Sequence, residues 1–226
     1  MDATAIANSA CPVLFLDTCS LLDIMRDPTR DTARPSDRRV AFELVDAMET
    51  GRLMCLLAEQ VNVEFSEHDQ HIQDEATGRL QKLCDQIQRV NSLAELYGVS
   101  GSVDLTHLED HVERARALVE RCHVKTIEVR PTTTAVGKVF VRVNKGSAPA
   151  RKGKDSSKDC LIYETYLEAA TALRSEGLSL PLVFLSSNTA DYQDGKELRA
   201  EIAADFLPLN MHFASNIAHA KHLLGL

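Results

Sequence analysis

Val13-Leu14-Phe15-Leu16 is a continuous apolar run that stops at Asp17. A strand without a polar face belongs inside a parallel sheet covered by helices on both sides, which narrows the fold more than any other feature of the chain. Leu53 to Leu57 and Pro181 to Leu185 repeat the pattern. Between the first two runs Val40, Leu44, Val45 and Met48 recur at helical spacing, with Ser36 as the expected cap and Gly51 as the stop. Strand, helix, strand in that order implies parallel pairing and an α/β class.

The remaining segments extend the alternation. Leu21 to Met25 reads as a short helix, and Arg26 to Asp37, with two prolines, as loop. Ala58 to Tyr97 is rich in Gln, Glu and Leu, as one long helix or two, and Leu105 to Cys122 reads as another helix. Thr126 to Val129 suggests a weak strand, Thr134 to Asn144 a helix, and Gly146 to Ser157 an exposed loop. A helix from Ser157 should end near Gly177, with later helices over Lys196 to Ala204 and Ser215 to Leu224 and a short strand near Met211 to Phe213. With 226 residues, 44% of them hydrophobic, the chain can bury a large core, and no linker or repeat divides it, so a single domain is expected.

Several function classes are excluded or disfavoured at this level. No apolar run approaches the roughly 18 residues of a membrane span, and the first residues lack the basic start of a secretion signal, so a cytoplasmic location and no membrane partner are expected. Six cysteines form no C-x-x-C pair and sit among apolar neighbours, as reduced core thiols do. Neither a phosphate loop nor a dinucleotide fingerprint is present, and the serines have no glycine elbow. His107 and His111 are four apart and could share a zinc ion, but a third ligand is not evident. A net charge of -8 disfavours indiscriminate nucleic-acid binding. Against that average, Lys138, Arg142, Lys145, Arg151, Lys152, Lys154 and Lys158 form a local basic stretch opposed only by Asp155.

Acidic residues occupy the positions where open α/β sheets bind ligands, outside the carboxyl ends of the strands. Asp17 follows the first run and Asp191 lies in the turn after the third. Asp159 falls in the first turn of the helix that the basic loop introduces, and Glu64 lies between Val61 and Phe65 in the helix after the second run. Each has an ordinary role as cap, dipole partner or surface charge. Gathered together, they would repel unless a cation compensated them, and oxygen donors of this kind suit Mg²⁺ or Mn²⁺. Glu59, Glu67 and Asp155 are near enough in sequence to take the roles of Glu64 and Asp159.

Four segments resemble the PIN-domain family of metal-dependent ribonucleases, in particular its larger bacterial members with a helical insertion. They are Leu14-Phe15-Leu16-Asp17-Thr18-Cys19-Ser20-Leu21, Val63-Glu64-Phe65, Lys158-Asp159-Cys160-Leu161-Ile162-Tyr163-Glu164 and Phe184-Leu185-Ser186-Ser187-Asn188-Thr189-Ala190-Asp191-Tyr192. The resemblance implies a three-layer α/β/α fold with a central, mostly parallel sheet and a helical insertion at roughly 76-143. It also implies that Asp17, Glu64, Asp159 and Asp191 hold Mg²⁺ or Mn²⁺ and hydrolyse phosphodiester bonds, Glu64 acting as ligand or as orienter of the attacking water. Where many members carry T-x-D-x-D-F, Thr189 stands at the first Asp and Asp191 at the second, leaving Asn188 and Ser187 as polar substitutes beside Thr18 near Asp17. The expected substrate is single-stranded RNA, with DNA as an alternative, guided by Lys145, Arg151, Lys152, Lys154 and Lys158. A catalytically degenerate RNA- or protein-binding module is the alternative from another class. The resemblance leaves room for toxin-like or RNA-processing roles, an antitoxin or other protein partner, and a homodimer.

Overall fold

A computed structural model describes residues 1-151 and 153-226; Lys152, one of the expected basic-loop residues, lies outside the described residues. The apolar runs become strands β1 (Val13–Leu16), β2 (Met54–Ala58) and β4 (Leu182–Leu185), joined by β3 (Thr126–Val129) and β7 (Met211–Ala214) in one sheet of order β3-β2-β1-β4-β7. Every pairing in it is parallel. The central strands are the most apolar because both faces are covered. Leu14 and Leu16 lie with Leu44, Val45, Cys122 and Ile217 on one face, while Phe15 meets Tyr166 on the other, its ring centroid 5.1 Å away. At the edge, β3 needs less burial and carries Thr126 and Glu128.

On the first face pack α3 (Pro35–Glu49), α5 (His111–Lys125) and α10 (Ile217–Leu224). On the second, α7 (Ser157–Ser175) packs against α1 (Ala3–Asn8), α6 (Thr133–Lys145) and α4 (Glu59–Leu96), which also meets α2 (Thr18–Leu22). These layers make the three-layer α/β/α architecture that the resemblance implied. From β1 the chain passes through α2 and α3 to β2 and on to β3, then returns through α6 and α7 to β4 on the other side of β1. Strand order therefore reverses between β1 and β4, and the carboxyl ends of these two strands are where open α/β sheets bind ligands.

Several local expectations are corrected. Pro35, not a capped Ser36, opens α3: its fixed φ and missing N–H suit the first helical position. The Ala58 to Tyr97 segment, expected as one long helix or two, is the first of these, a 38-residue helix roughly 57 Å long whose buried residues Val61, Phe65, Ile72, Ala76 and Leu80 all lie in its first two-thirds. Lys196 to Ala204 is not a single helix. Gln193–Asp194 (β5) and Glu197–Leu198 (β6) form a hairpin about Gly195 at φ +63, and the helix α9 is Ala200–Phe206. His107 lies in a 3-10 turn and His111 starts α5, with Asp110 at φ 60 between them, so the two do not share a helix face.

The basic stretch is not one solvated patch. Ala148, Pro149, Ala150 and Ser156 are buried within the loop expected to be exposed. Arg142 is half-buried and paired, Nε to Glu164 at 2.6 Å and Nη2 to Asp205 at 2.8 Å, with its guanidinium 4.7 Å from the centre of the Tyr163 ring. Among the described residues the cysteines are free thiols and no helix is long and apolar enough to cross a membrane.

Candidate active site at the carboxyl ends of β1 and β4

Asp17 leaves β1 and caps α2, where its Oδ1 accepts from the Thr18 backbone N–H at 2.8 Å. The parallel register sets Leu16 opposite Leu185, so the next residues, Asp17 and Ser186, are neighbours. The Ser186 hydroxyl donates to Asp17 Oδ2 at 2.5 Å, and the Cys19 thiol approaches the same oxygen at 3.1 Å. Asp17 is only 4% exposed. Burial pushes its carboxyl above the ordinary aspartate value, opposed by the Ser186 and Cys19 hydrogen bonds. Burial and Asp17 together push the Cys19 thiol up to about 12, so it is no nucleophile near neutral pH.

Glu64 lies in the second turn of α4, half-buried, and accepts from the Thr18 hydroxyl at 2.8 Å through Oε2. Its Oε1 has only a long hydrogen bond, 3.4 Å, from Gln60. Burial raises its pKa first, and Asp17 adds to the rise. Asp159, in the first turn of α7, is raised by burial and by Asp191 and Glu64, while Lys154 opposes the shift. Asp159 also bears on Asp17. Thr18 links Asp17 to Glu64 through its N–H and hydroxyl, and Lys154 links Asp159 to Asp191.

Asp191 differs from the other three. It lies in α8 (Thr189–Tyr192), 2% exposed, and its oxygens are already engaged. Arg151 Nε meets Oδ1 at 2.6 Å, and Lys154 Nζ and Asn188 Nδ2 meet Oδ2 at 2.9 Å and 2.6 Å. Lys154 also approaches Asp159 at 3.6 Å. Among the described residues no group of three or more His, Cys, Asp or Glu side chains is arranged as it stands to hold a metal ion. The donors are oxygen only, and Asp17, Glu64 and Asp159 are raised in pKa first by burial and then by neighbouring carboxylates, a set of the kind a hard divalent cation compensates.

The alternatives left open by sequence are otherwise employed. Glu59 meets Arg130 at 3.6 Å, Glu67 binds Lys158 at 2.7 Å, and Asp155 accepts from the Ser157 hydroxyl and N–H. Lys145 lines a groove with Arg142, Glu164 and Asp205. Of the expected polar residues, Thr18 serves Glu64 and Asn188 serves Asp191, while the Ser187 backbone N–H donates to Ser20 Oγ at 3.0 Å. Ser186 and Cys19 were missed as partners of Asp17, because only the β1–β4 register makes Ser186 its neighbour. Tyr192 was also missed: its hydroxyl is buried without a hydrogen-bond partner among the described residues, and Asp17, Asp159 and Asp191 all bear on it. Its position directly after Asp191 was the available signal.

No curated protein and no solved structure matches the chain significantly. A model of the PIN domain matches residues 14–192, a span that opens within β1 and closes on Tyr192. PIN domains are generally nucleases, and the matched span contains Asp17, Glu64, Asp159 and Asp191. The chain belongs to the PIN-domain family.

Proposed function

We propose that the protein is a metal-dependent endoribonuclease that hydrolyses phosphodiester bonds in single-stranded RNA. The observation that carries this reading is Asp17: a carboxylate 4% exposed at the strand-order reversal, with Glu64 and Asp159 beside it. Carboxylates so placed repel one another and lose solvation, an arrangement that a divalent cation relieves. Asp17, Glu64 and Asp159 are the residues that would hold Mg²⁺ or Mn²⁺. Such an ion supplies activation of water and neutralisation of charge on the phosphodiester.

The chain's own residues divide the remaining work. Thr18 holds Asp17 through its N–H and Glu64 through its hydroxyl, so one residue sets the relative placement of two carboxylates. Ser186 fixes the other oxygen of Asp17. Glu64 Oε1, with only its long contact to Gln60, is the free oxygen that can orient a water or take its proton. Lys154 places positive charge beside Asp159, and Arg151 joins it on Asp191, where a backbone phosphate would lie.

Purified protein with Mn²⁺ should cut unstructured RNA, and Asp17→Asn should lower the rate by roughly 100-fold or more. Equal rates would refute the assignment. A second reading, an RNA- or protein-binding module without cleavage, is favoured by one observation, the engagement of Asp191 by two cations. Calorimetry that finds no Mn²⁺ binding while RNA still binds would select it. Competition between RNA and DNA oligonucleotides separates the ribonuclease from a DNA-directed nuclease.

A further inference from the structure

Asp191 occupies the place where the family resemblance puts a fourth acidic ligand, yet its surroundings are those of an anchor. A carboxylate offers about four lone-pair sites, and Asp191 gives three of them to Arg151, Lys154 and Asn188, each within 3 Å. A divalent ion on these oxygens would have to evict a cation from a side chain that is 2% exposed, or sit against two positive charges. Among the described residues Asp17, Glu64 and Asp159 carry no comparable pairing: Asp17 and Glu64 accept from neutral groups, and Lys154 approaches Asp159 at 3.6 Å.

The two cations are built into the loop rather than resting on it. Lys154 N–H donates to the Arg151 carbonyl at 3.3 Å, closing a turn in which Gly153 adopts φ +81, a value L side chains rarely take. Arg151 N–H donates to the hydroxyl of buried Ser156 at 3.3 Å, and its guanidinium also donates to the Ala190 carbonyl. Arg151 thus grips both α8 and its own loop. The outer sides of both cations stay open: the Arg151 side chain is 39% exposed and that of Lys154 51%.

We infer that Asp191 is a positioning residue rather than a metal ligand, and that it presents Arg151 and Lys154 as a two-cation clamp for the phosphate backbone of a single strand passing Asp159. The inference rests on the proposed phosphodiester-cleaving role of the Asp17, Glu64 and Asp159 centre. It changes the arithmetic of the site, because three carboxylates remain for the metal and the fourth aligns substrate.

The test pairs two binding measurements on Asp17→Asn, Asp159→Asn, Asp191→Asn and an Arg151→Gln/Lys154→Gln double variant. Mn²⁺ affinity is measured by calorimetry. Affinity for a fluorescein-labelled oligouridylate is measured by anisotropy in EDTA across a salt series, where no cleavage interferes. Asp17→Asn and Asp159→Asn should lose at least about tenfold in Mn²⁺ affinity, and Asp191→Asn should stay within about twofold of the wild type. Asp191→Asn and the double variant should both bind the oligonucleotide about 5- to 10-fold more weakly, with a salt slope shallower by about 1 to 2. The proposal is overturned if Asp191→Asn loses Mn²⁺ as Asp17→Asn does, or if the double variant binds Mn²⁺ tenfold more tightly, since the cations would then be competing for a ligand. Should Asp191→Asn fail to fold, the double variant decides alone. Absence of Mn²⁺ binding in the wild type would end the metal reading, while the oligonucleotide series would still decide the clamp, unchanged affinity in both variants overturning it.

Discussion

Glu64 shows how a single half-buried carboxylate beside another can cost stability. Its carboxyl is raised above the ordinary glutamate value, first by burial and then by Asp17. The folded protein therefore binds that proton more readily than the unfolded chain does. Between the two pKa values stability falls as pH rises, and above the folded value the full penalty is present. Below the ordinary glutamate value both states are protonated and the penalty vanishes. Glu64→Gln removes the charge while keeping an acceptor for Thr18, so in EDTA at neutral pH it should melt a few degrees above wild type. That advantage should close as the pH falls to about 4. Mn²⁺ should reverse the order, because the charge then has a partner. Thermal melts of both proteins across pH, with and without Mn²⁺, check this, and a pH-independent difference in EDTA would show that Glu64 is not strained by its surroundings.

At the scale of elements, α6 and α7 carry the basic loop between them and a partly buried charge network joins the pair. Arg142 on α6 reaches Glu164 on α7, whose side chain is 4% exposed, and Asp205 on α9, while Tyr163 donates to the same Asp205 at 3.1 Å. Arg142 also donates to the Ala148 carbonyl within the loop. Removing Arg142 would leave the Glu164 charge buried without a cation, so Arg142→Ala should cost about 3–5 kcal/mol in urea denaturation. Lys145→Ala, three residues on and exposed, should change stability by no more than about 0.5 kcal/mol. Similar losses for both would mean that the network does not hold the helices. Tyr166 performs the corresponding task at the strand ends: its hydroxyl donates to the Leu16 carbonyl and accepts from the Ala58 N–H at 3.0 Å, joining β1, β2 and α7 directly below the site.

Across the whole molecule, what the sequence revealed and what it hid follow from range. The strands were legible because Val13–Leu16 and Leu182–Leu185 are buried on both faces and tolerate no polar residue. Asp17 was legible as the first polar residue after such a run, and Asp159 and Glu64 through their helix positions. Partners set by long-range register were not. Ser186 meets Asp17 only because β4 pairs in parallel with β1, and Arg142 reaches buried Glu164 only because α6 folds back along α7. The Asp194-Gly195 hairpin was a local signal, obscured by the helical spacing that follows it. Asp191 was visible as an acid but not as the counterion of Arg151 and Lys154, which lie some forty residues earlier in the chain. The central claim is that Asp17, Glu64 and Asp159 form one divalent-cation centre where the strand order reverses. A crystal soaked in Mn²⁺ and measured at the manganese absorption edge tests it directly. An anomalous peak among these three side chains, with Asp191 still on Arg151 and Lys154, is the predicted result; a Mn²⁺-replete crystal with no peak there, or with its peak elsewhere on the molecule, would contradict it.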